Sequence, residues 1–252
     1  MIRLLAPAVM ALALLSAPDR SLALDVTQMS DAERAAFRAE VRAYLMDNPE
    51  VILDAVKVLE DRQANAEAQA DFALVADNAD ELFNDGYSWV GGNPDGDITL
   101  VEFLDYRCAY CRRAMPEVEQ LLAADGNIRL IVKELPILGD GSVLASRFAV
   151  ATKTVAGPDA YKQMHDALMA YQGEMTVIAL RRMADGLGLD SDAIAAEMDS
   201  DATSAEIART RELAGRLKIS GTPTFVLQDE LLRGFLPGDQ MALIVAEKRA
   251  NR

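Results

Sequence analysis

The sequence predicts an α/β fold with a helical insertion, preceded by an α-helical N-terminal arm. Two observations support this prediction. Residues 98–135 have the pattern of a strand, a helix and a strand, and residues 224–250 have the pattern of two strands and a helix. Between them, residues 142–217 show helical periodicity almost throughout, and residues 30–85 form another helix-rich stretch. The chain therefore divides into an arm and one α/β domain.

The first 23 residues have the features of a secretory signal peptide. Arg3 supplies a positive charge, residues 4–15 are apolar, and Ser21 and Ala23 place small residues at the −3 and −1 positions of a cleavage site. Such a segment is too short to cross a bilayer as a mature helix. We expect export with cleavage near Ala23, and the alternative is an uncleaved membrane anchor.

The arm, residues 24–85, is expected to consist of two or three helices. Ser30 and Glu33 have the spacing of a capping box, which starts the first helix. Pro49 can occupy the first position of the next helix. No glycine or proline follows before Gly86, so this stretch predicts one long helix or two in close succession.

Along the second helix, small and apolar residues recur at alternating spacings of four and three, which is the pattern of a seam for another helix, and one polar residue, Gln63, weakens it. The seam consists of Ile52, Val56, Leu59, Gln63, Ala66, Ala70 and Ala73. Its first part is aliphatic and should bind more strongly than the alanine-rich remainder. We therefore predict self-association through residues 30–60, with residues 61–85 as a spacer. The alternative is that the arm packs back on the α/β domain.

The α/β domain is predicted to span residues 86–252, beginning with a glycine-rich stretch. Residues 98–106 are β-branched and apolar, residues 111–124 are helical, and residues 127–135 form a second strand pattern. Spacing of this kind predicts a right-handed βαβ unit with parallel strands.

The second half of the domain completes the element order. The insertion, residues 142–217, has room for about four helices. Residues 224–227 and 231–235 are predicted to be strands joined by a tight turn, and a last helix ends near residue 250. This order is that of a thioredoxin fold with a helical insertion before its second half.

Composition excludes several classes of protein. The formal charge of −15 disfavours nucleic acid and anionic membranes as partners. The chain has only two cysteines, which excludes a small disulfide-dense scaffold. A hydrophobic content of 51% is enough for a core.

The two cysteines, Cys108 and Cys111, lie where the predicted strand of residues 98–106 ends and a helix begins. At a helix N-terminus, free N–H groups and the helix dipole favour the thiolate form of Cys108. Cys111 lies one turn further on the same face, within reach of Cys108. The arrangement predicts a redox pair with an exposed attacking Cys108 and a shielded resolving Cys111.

Other interpretations of the pair are less favoured. A disulfide that closes so short a loop stabilises by only about 1.9 kcal/mol. A zinc site needs four ligands, and the remaining candidate is His165, which is predicted to be a surface or half-buried helix residue. Two unreactive buried thiols are a third alternative. A two-thiolate Cu(I) site is also possible chemically, and comparing insulin reduction with Cu(I) binding separates it from disulfide exchange. We predict no cofactor and no metal.

The segment SGTPTF, residues 220–225, contains Pro223 at the start of a predicted strand. A proline at this place indicates a tight bend, with a cis peptide bond as one form and an ordinary strand-edge proline as the alternative.

Taken together, VEFLDYRCAYC (101–111), Pro116 and GTPTF (221–225) resemble the DsbA-type thiol:disulfide oxidoreductases of the thioredoxin superfamily. The resemblance covers about residues 91–250. As a set these motifs are specific, whereas the CxxC spacing alone would not be.

This resemblance implies roles for individual residues. Cys108 is the implied nucleophile, and Cys111 resolves the mixed disulfide. Pro223 is implied to be cis, and the backbone of Thr222 to pair with a substrate peptide. Glu102 matches the family's buried acid, which assists proton transfer at Cys111, and the alternative is an inert strand glutamate. Pro116 matches a helix-kinking proline.

The sequence departs from the DsbA oxidases between the cysteines, where it has Ala109 and Tyr110 in place of Pro-His. Tyr110 offers one hydroxyl and no positive charge. Thr222 before the proline is similar to the disulfide isomerases. Both features favour an isomerase or reductase over a strong oxidant. The expected substrate-binding residues are Tyr110, Thr222 and Pro223.

The arm segment VRAYLMDNPEVILDAVKVLEDRQ resembles the N-terminal segment of the suppressor-of-copper-sensitivity C (ScsC) proteins over residues 37–63. These relatives are periplasmic DsbA-like proteins, and some are oligomeric through this segment. The resemblance implies a periplasmic location and a homo-oligomer formed through the arm.

The resulting hypothesis is thiol:disulfide exchange on exported cysteine-containing proteins. As an isomerase or reductase, the protein would be kept reduced by a membrane redox partner. The alternatives are an oxidase recharged by a quinone-linked membrane partner and a Cu(I)-handling binding protein.

Overall fold

The computed structural model describes residues 27–251, so the expected signal peptide lies outside the described residues. The chain forms two compact units, Met1–Glu60 and Asp61–Arg252. Each unit is described by itself below.

The first unit contains α1 (Asp31–Asp47) and the beginning of α2 (Glu50–Asp77). The predicted capping box is confirmed. The Ser30 hydroxyl accepts a hydrogen bond from the Glu33 N–H (3.3 Å), and the Glu33 carboxylate accepts one from the Ser30 N–H (2.8 Å). No residue of α1 is buried. Its apolar side chains, including Phe37, are therefore open to solvent.

The second unit is built on a five-stranded mixed sheet with the order β1-β3-β2-β4-β5. The strands are β1 (Trp89–Gly92), β2 (Ile98–Leu104), β3 (Ile128–Glu134), β4 (Thr224–Leu227) and β5 (Glu230–Arg233). The pair β2 and β3 is parallel, which confirms the predicted βαβ unit, and every other neighbouring pair is antiparallel.

Helices cover both faces of the sheet. The short α3 (Ala79–Phe83) follows α2, and α4 (Ala109–Asp125) connects β2 to β3. The insertion contains five helices, where about four were expected. They are α5 (Asp140–Ala156), α6 (Pro158–Ala170), α7 (Val177–Gly186), α8 (Ser191–Glu197) and α9 (Asp201–Arg216). The chain then passes through β4 and β5 to α10 (Gly238–Ala250).

The side chains of β2 alternate between two cores. Leu100 and Leu104 lie in a cluster with residues of α4, α5 and α6, whereas Val101 and Phe103 lie in a second cluster with residues of α9. Because successive side chains of a strand point to opposite faces, Glu102 lies on the same face as Leu100 and Leu104. This is the face that α4 and its cysteines cover.

The second unit begins well before the predicted domain boundary at residue 86. Val75 on α2 and Leu82 on α3 are buried in the second cluster with strand residues. Asp71 pairs with Arg233 on β5, and Glu81 pairs with Arg216 at 2.6 Å. Residues 71–83 therefore pack on the α/β domain, whereas a spacer was expected there.

Candidate active site

The turn after β2 places Cys108 at the N-terminus of α4. The Cys108 N–H donates to the Asp105 carbonyl oxygen at 3.0 Å, and α4 starts at the next residue. Cys108 is the N-cap and has an extended backbone conformation. Cys111 follows in the first turn of α4, and neither sulfur is in a disulfide.

Both thiols are sheltered. Cys111 is fully buried and Cys108 is 7% exposed, so the predicted open exposure of Cys108 is wrong, although it is the more accessible of the two. Cys108 is shielded from solvent by the loop that precedes β4. The Cys108 Sγ donates to the Thr222 carbonyl oxygen at 3.0 Å.

The loop before β4 contains a cis peptide bond between Thr222 and Pro223, as predicted. It lies beside the cysteines because β4 pairs with β2, the strand that leads into Cys108. The side chain of Thr222 also acts on the thiol of Cys111, where it lowers the pKa against the effect of burial. The structure thus brings Thr222 and Pro223 together with both cysteines.

Asp105 organises the turn, although it was not among the site residues predicted from the sequence. Its buried carboxylate accepts hydrogen bonds from the N–H groups of Arg107 (2.8 Å), Ile137 (2.8 Å) and Leu138 (3.0 Å) and from the Ser142 hydroxyl (2.7 Å). These bonds tie the cysteine turn to the segment that leads into α5. An aspartate directly after a buried strand is the sequence signal for such a turn.

Asp105→Ala is expected to lower the free energy of unfolding by at least about 3 kcal/mol, because it removes a charged acceptor and leaves buried N–H groups unsatisfied. Urea denaturation measures the effect. Asp95→Ala, at an exposed position, is the matched control and should change stability little. Equal stability of the two variants would contradict this role of Asp105.

Glu102 is 4% exposed, and its Oε1 is the one buried side-chain oxygen or nitrogen within residues 27–251 that lacks a hydrogen-bond partner. Burial, together with the negative charge of Glu134, raises the pKa of Glu102 to about 8. Glu102 lines a cavity of about 70 Å³ with Glu119, Lys162 and His165. An unpaired carboxyl that titrates near neutrality is suited to move a proton.

The thiol of Cys111 has a strongly raised pKa. Burial is the main cause, and the charges of Cys108 and Glu102 add to it, whereas the backbone of Asp105 and the side chain of Thr222 act in the opposite direction. Cys111 is therefore protonated at neutral pH and needs a base before it can attack. The negative charge of Glu102 acts on this thiol, and Glu102 lies on the face of β2 that α4 and its cysteines cover.

Tyr110 is not part of this cluster. Its side chain is 59% exposed at the start of α4. Ile137 and Leu138, which Asp105 fixes beside the cysteine turn, are also exposed. Pro116 lies inside α4, in agreement with its predicted position within a helix.

His165 is buried, whereas a surface or half-buried position was expected. Its Nδ1 lies 3.1 Å from the Tyr106 hydroxyl, and burial together with the charge of Lys162 lowers its pKa to about 3. His165 is therefore neutral. Over the described part of the chain, no group of three or more His, Cys, Asp and Glu side chains is arranged to hold a metal ion.

Two protein-family models match the chain. Residues 99–246 match the DSBA-like thioredoxin domain, and residues 33–66 match the copper resistance protein ScsC N-terminal domain. The first match contains the cysteines and the cis-proline, and the second coincides with the exposed helices of the first unit.

Solved structures of similar proteins agree with these matches. A thioredoxin-like oxidoreductase from Silicibacter pomeroyi is 43% identical, with a TM-score of 0.64, over 68% of this chain and 97% of that one. Proteus mirabilis ScsC in a transitional conformation is 28% identical, with a TM-score of 0.65, over 89% of this chain and all of that one (100%).

A curated relative is much longer. The Na(+)/H(+) antiporter NhaA 3 of Salinispora tropica is 35% identical over 136 residues, which are 54% of this chain and 21% of the antiporter. The chain thus spans about a fifth of the length of that relative. Within residues 27–251, no helix has the length and apolar character needed to cross a membrane.

Proposed function

Because the chain belongs to the DSBA-like thioredoxin domain family of thiol:disulfide oxidoreductases, we propose that Cys108 and Cys111 are its reactive pair and that it isomerises or reduces disulfides of exported proteins. The observation that carries the proposal is the contact between the Cys108 Sγ and the Thr222 carbonyl oxygen at 3.0 Å, beside a cis-proline. It puts the more accessible thiol at a helix N-terminus and next to a backbone segment that a peptide can pair with.

The proposed reaction transfers two electrons from the cysteine pair to a substrate disulfide. The Cys108 thiolate attacks one substrate sulfur, the substrate S–S bond breaks, and the other sulfur leaves as a thiolate. Cys111 then gives its proton to the Glu102 carboxylate and attacks the Cys108 Sγ. The bond between Cys108 and the substrate breaks, the second substrate thiolate leaves, and a Cys108–Cys111 disulfide remains.

Isomerisation uses the first step alone, because the substrate's own thiolate can displace Cys108 before Cys111 reacts. Net reduction requires a dithiol partner that reduces the Cys108–Cys111 disulfide again. We infer a membrane redox partner for this step. The periplasm is the inferred location, in line with the match of the arm to the ScsC N-terminal domain.

The residues around the pair support a reducing direction. Ala109 and Tyr110 place no cation beside Cys108, and the exposed Tyr110 leaves the thiolate without the stabilisation that an imidazole would give. A less stabilised thiolate makes the reduced form less favourable and the potential more negative. An oxidase would instead need a well-stabilised Cys108 thiolate and a less negative reduction potential.

We expect the reduction potential of the pair to lie below the roughly −120 mV of DsbA. Replacing Ala109 and Tyr110 with Pro and His should raise it, because an imidazole stabilises the thiolate. Equilibration with glutathione measures both values, and Tyr110→Phe, which adds no imidazole, should leave the potential near its original value. A potential of the unmodified protein at or above that of DsbA would support the oxidase.

A further inference from the structure

A second buried carboxylate, Glu134 at the end of β3, has no role in the reaction described so far. Its Oε1 accepts hydrogen bonds from the hydroxyls of Tyr106 (2.7 Å) and Tyr161 (2.6 Å), and its Oε2 accepts one from Ser146 (2.7 Å). All three donors are neutral hydroxyls. Hydrogen bonds donated to a carboxylate favour its charged form.

Glu134 and Glu102 face the same core. In the parallel register of β2 and β3, Glu102 is opposite Val132 and Leu104 is opposite Glu134. The two carboxyls are therefore diagonal neighbours on one face of the sheet. Glu134 has three donors, whereas the Oε1 of Glu102 has none. When the two share one proton, the negative charge is better placed on Glu134 and the proton on Glu102.

We propose that Glu134 is a positioning residue that holds a proton on Glu102 and thereby sets the pH at which Glu102 exchanges a proton with Cys111. The proposal rests on the proposed function and deepens it. The charge of Glu134 adds to burial in raising the pKa of Glu102 to about 8. Burial also raises the pKa of Glu134 to about 7, against the three hydroxyls. Both carboxyls thus titrate near neutrality.

Other charged and titratable groups surround the pair on several elements. Cys111 of α4 interacts with Glu102, and Glu206 of α9 adds a negative charge that acts on Glu134. Glu119 of α4 and Lys162 of α6 line the cavity beside Glu102 and pair with each other at 3.0 Å. None of these groups donates a hydrogen bond to Glu134.

His165 completes the surroundings as a neutral group. The Tyr106 hydroxyl hydrogen is directed at Glu134, so its oxygen accepts from the Nδ1–H of His165, and Nε2 is left as an acceptor. His165 lines the same cavity as Glu102. A cavity of about 70 Å³ with polar groups has room for water, which gives Glu102 a way to exchange its proton with solvent.

The charge of Glu134 should therefore shift the pH dependence of the rate at which Cys111 resolves a mixed disulfide. Cys111 can resolve the mixed disulfide at Cys108 only when Glu102 is a carboxylate. The rate of resolution therefore rises with pH as Glu102 loses its proton. The negative charge of Glu134 raises the pKa of Glu102, and removing that charge lowers it. The rate of resolution should then reach half of its maximum at a lower pH.

Glu134→Gln removes the charge and keeps the shape, because the amide oxygen can accept from both tyrosines and the amide N–H can donate to Ser146. We expect the midpoint of the pH profile to fall by about one unit. Below the midpoint, resolution should be about tenfold faster than in the unmodified protein. The probe is the mixed disulfide of Cys108 with glutathione, and stopped-flow mixing follows the release of glutathione.

Two further variants make the result specific. Ser146→Ala removes one donor to Glu134 and should shift the midpoint in the same direction by less, which tests the proposal if Glu134→Gln does not fold. Glu212→Gln makes the same chemical change at an exposed site of α9 and should leave the profile unchanged. Infrared titration of the protonated carboxyl band, assigned with Glu102→Gln, should show the same shifts.

Unchanged midpoints in Glu134→Gln and Ser146→Ala would overturn the proposal about Glu134. The proposed function would survive that result as long as Cys108→Ser lacks exchange activity. If Cys108→Ser keeps full activity, the proposed function fails instead, whatever the pH profiles show.

Discussion

Replacing Cys108 with serine should reduce disulfide exchange to the uncatalysed background. A serine hydroxyl does not attack a disulfide near neutral pH, because the thiolate is the nucleophile in disulfide exchange. Cys111 cannot take its place, since it is fully buried and its pKa is strongly raised. Insulin reduction and reactivation of scrambled ribonuclease measure the loss.

Cys111→Ser should have a different effect. Cys108 can still attack a substrate, but no second thiol resolves the product, so mixed disulfides should accumulate. Mass spectrometry of the protein after incubation with an oxidised substrate detects them. Since both substitutions replace one buried sulfur with oxygen, the two variants are controls for each other's effect on folding. Full activity of Cys108→Ser in both assays would show that the reactive pair is assigned wrongly.

The second large effect is expected in the first unit. We infer self-association there, because most of its described large apolar residues are exposed and a groove of about 420 Å³ is lined by Phe37, Val41 and Ile52, among others. Ile52→Glu should therefore make the protein monomeric at tens of micromolar. It should also abolish isomerase activity, which benefits from several reactive pairs around one substrate, and spare insulin reduction.

Light scattering of the unmodified protein and of Ile52→Glu tests this expectation. Lys57→Glu introduces the same side chain at an exposed position of α2 that lies outside the seam, and it should leave the assembly intact. A monomeric unmodified protein would rule out self-association. Loss of insulin reduction in Ile52→Glu would show damage to the second unit instead.

The parts of the fold that were predicted correctly depend on local signals. Runs of β-branched residues predict β2 and β3, and the spacing of Ser30 and Glu33 predicts the start of α1. The N-terminal position of Cys108 on α4 also follows from its place between a strand and a helix. Each of these features is determined by residues within one or two turns of each other, so a sequence pattern can reveal it.

The features that were missed depend on contacts between distant segments. The shelter of Cys108 comes from Thr222, which lies 114 residues away along the chain. The donors of Glu134 include Tyr106 and Tyr161, 28 and 27 residues away. No periodicity or motif in the sequence links Glu134 to its donors, and the GTPTF motif predicted a substrate-binding role for Thr222 but not that this residue shields Cys108 from solvent. They become neighbours only when β2, β3 and the insertion share one core.

The burial of Val75 and Leu82 determines where the α/β domain can be separated from the arm. A protease cut or an engineered start at Gly86 would remove both side chains and also Asp71, the partner of Arg233 on the edge strand β5. The resulting fragment would expose apolar surface near an open strand edge, a combination that recruits other chains into aggregates. A start between residues 61 and 70 would keep these contacts and yield a soluble, refoldable fragment.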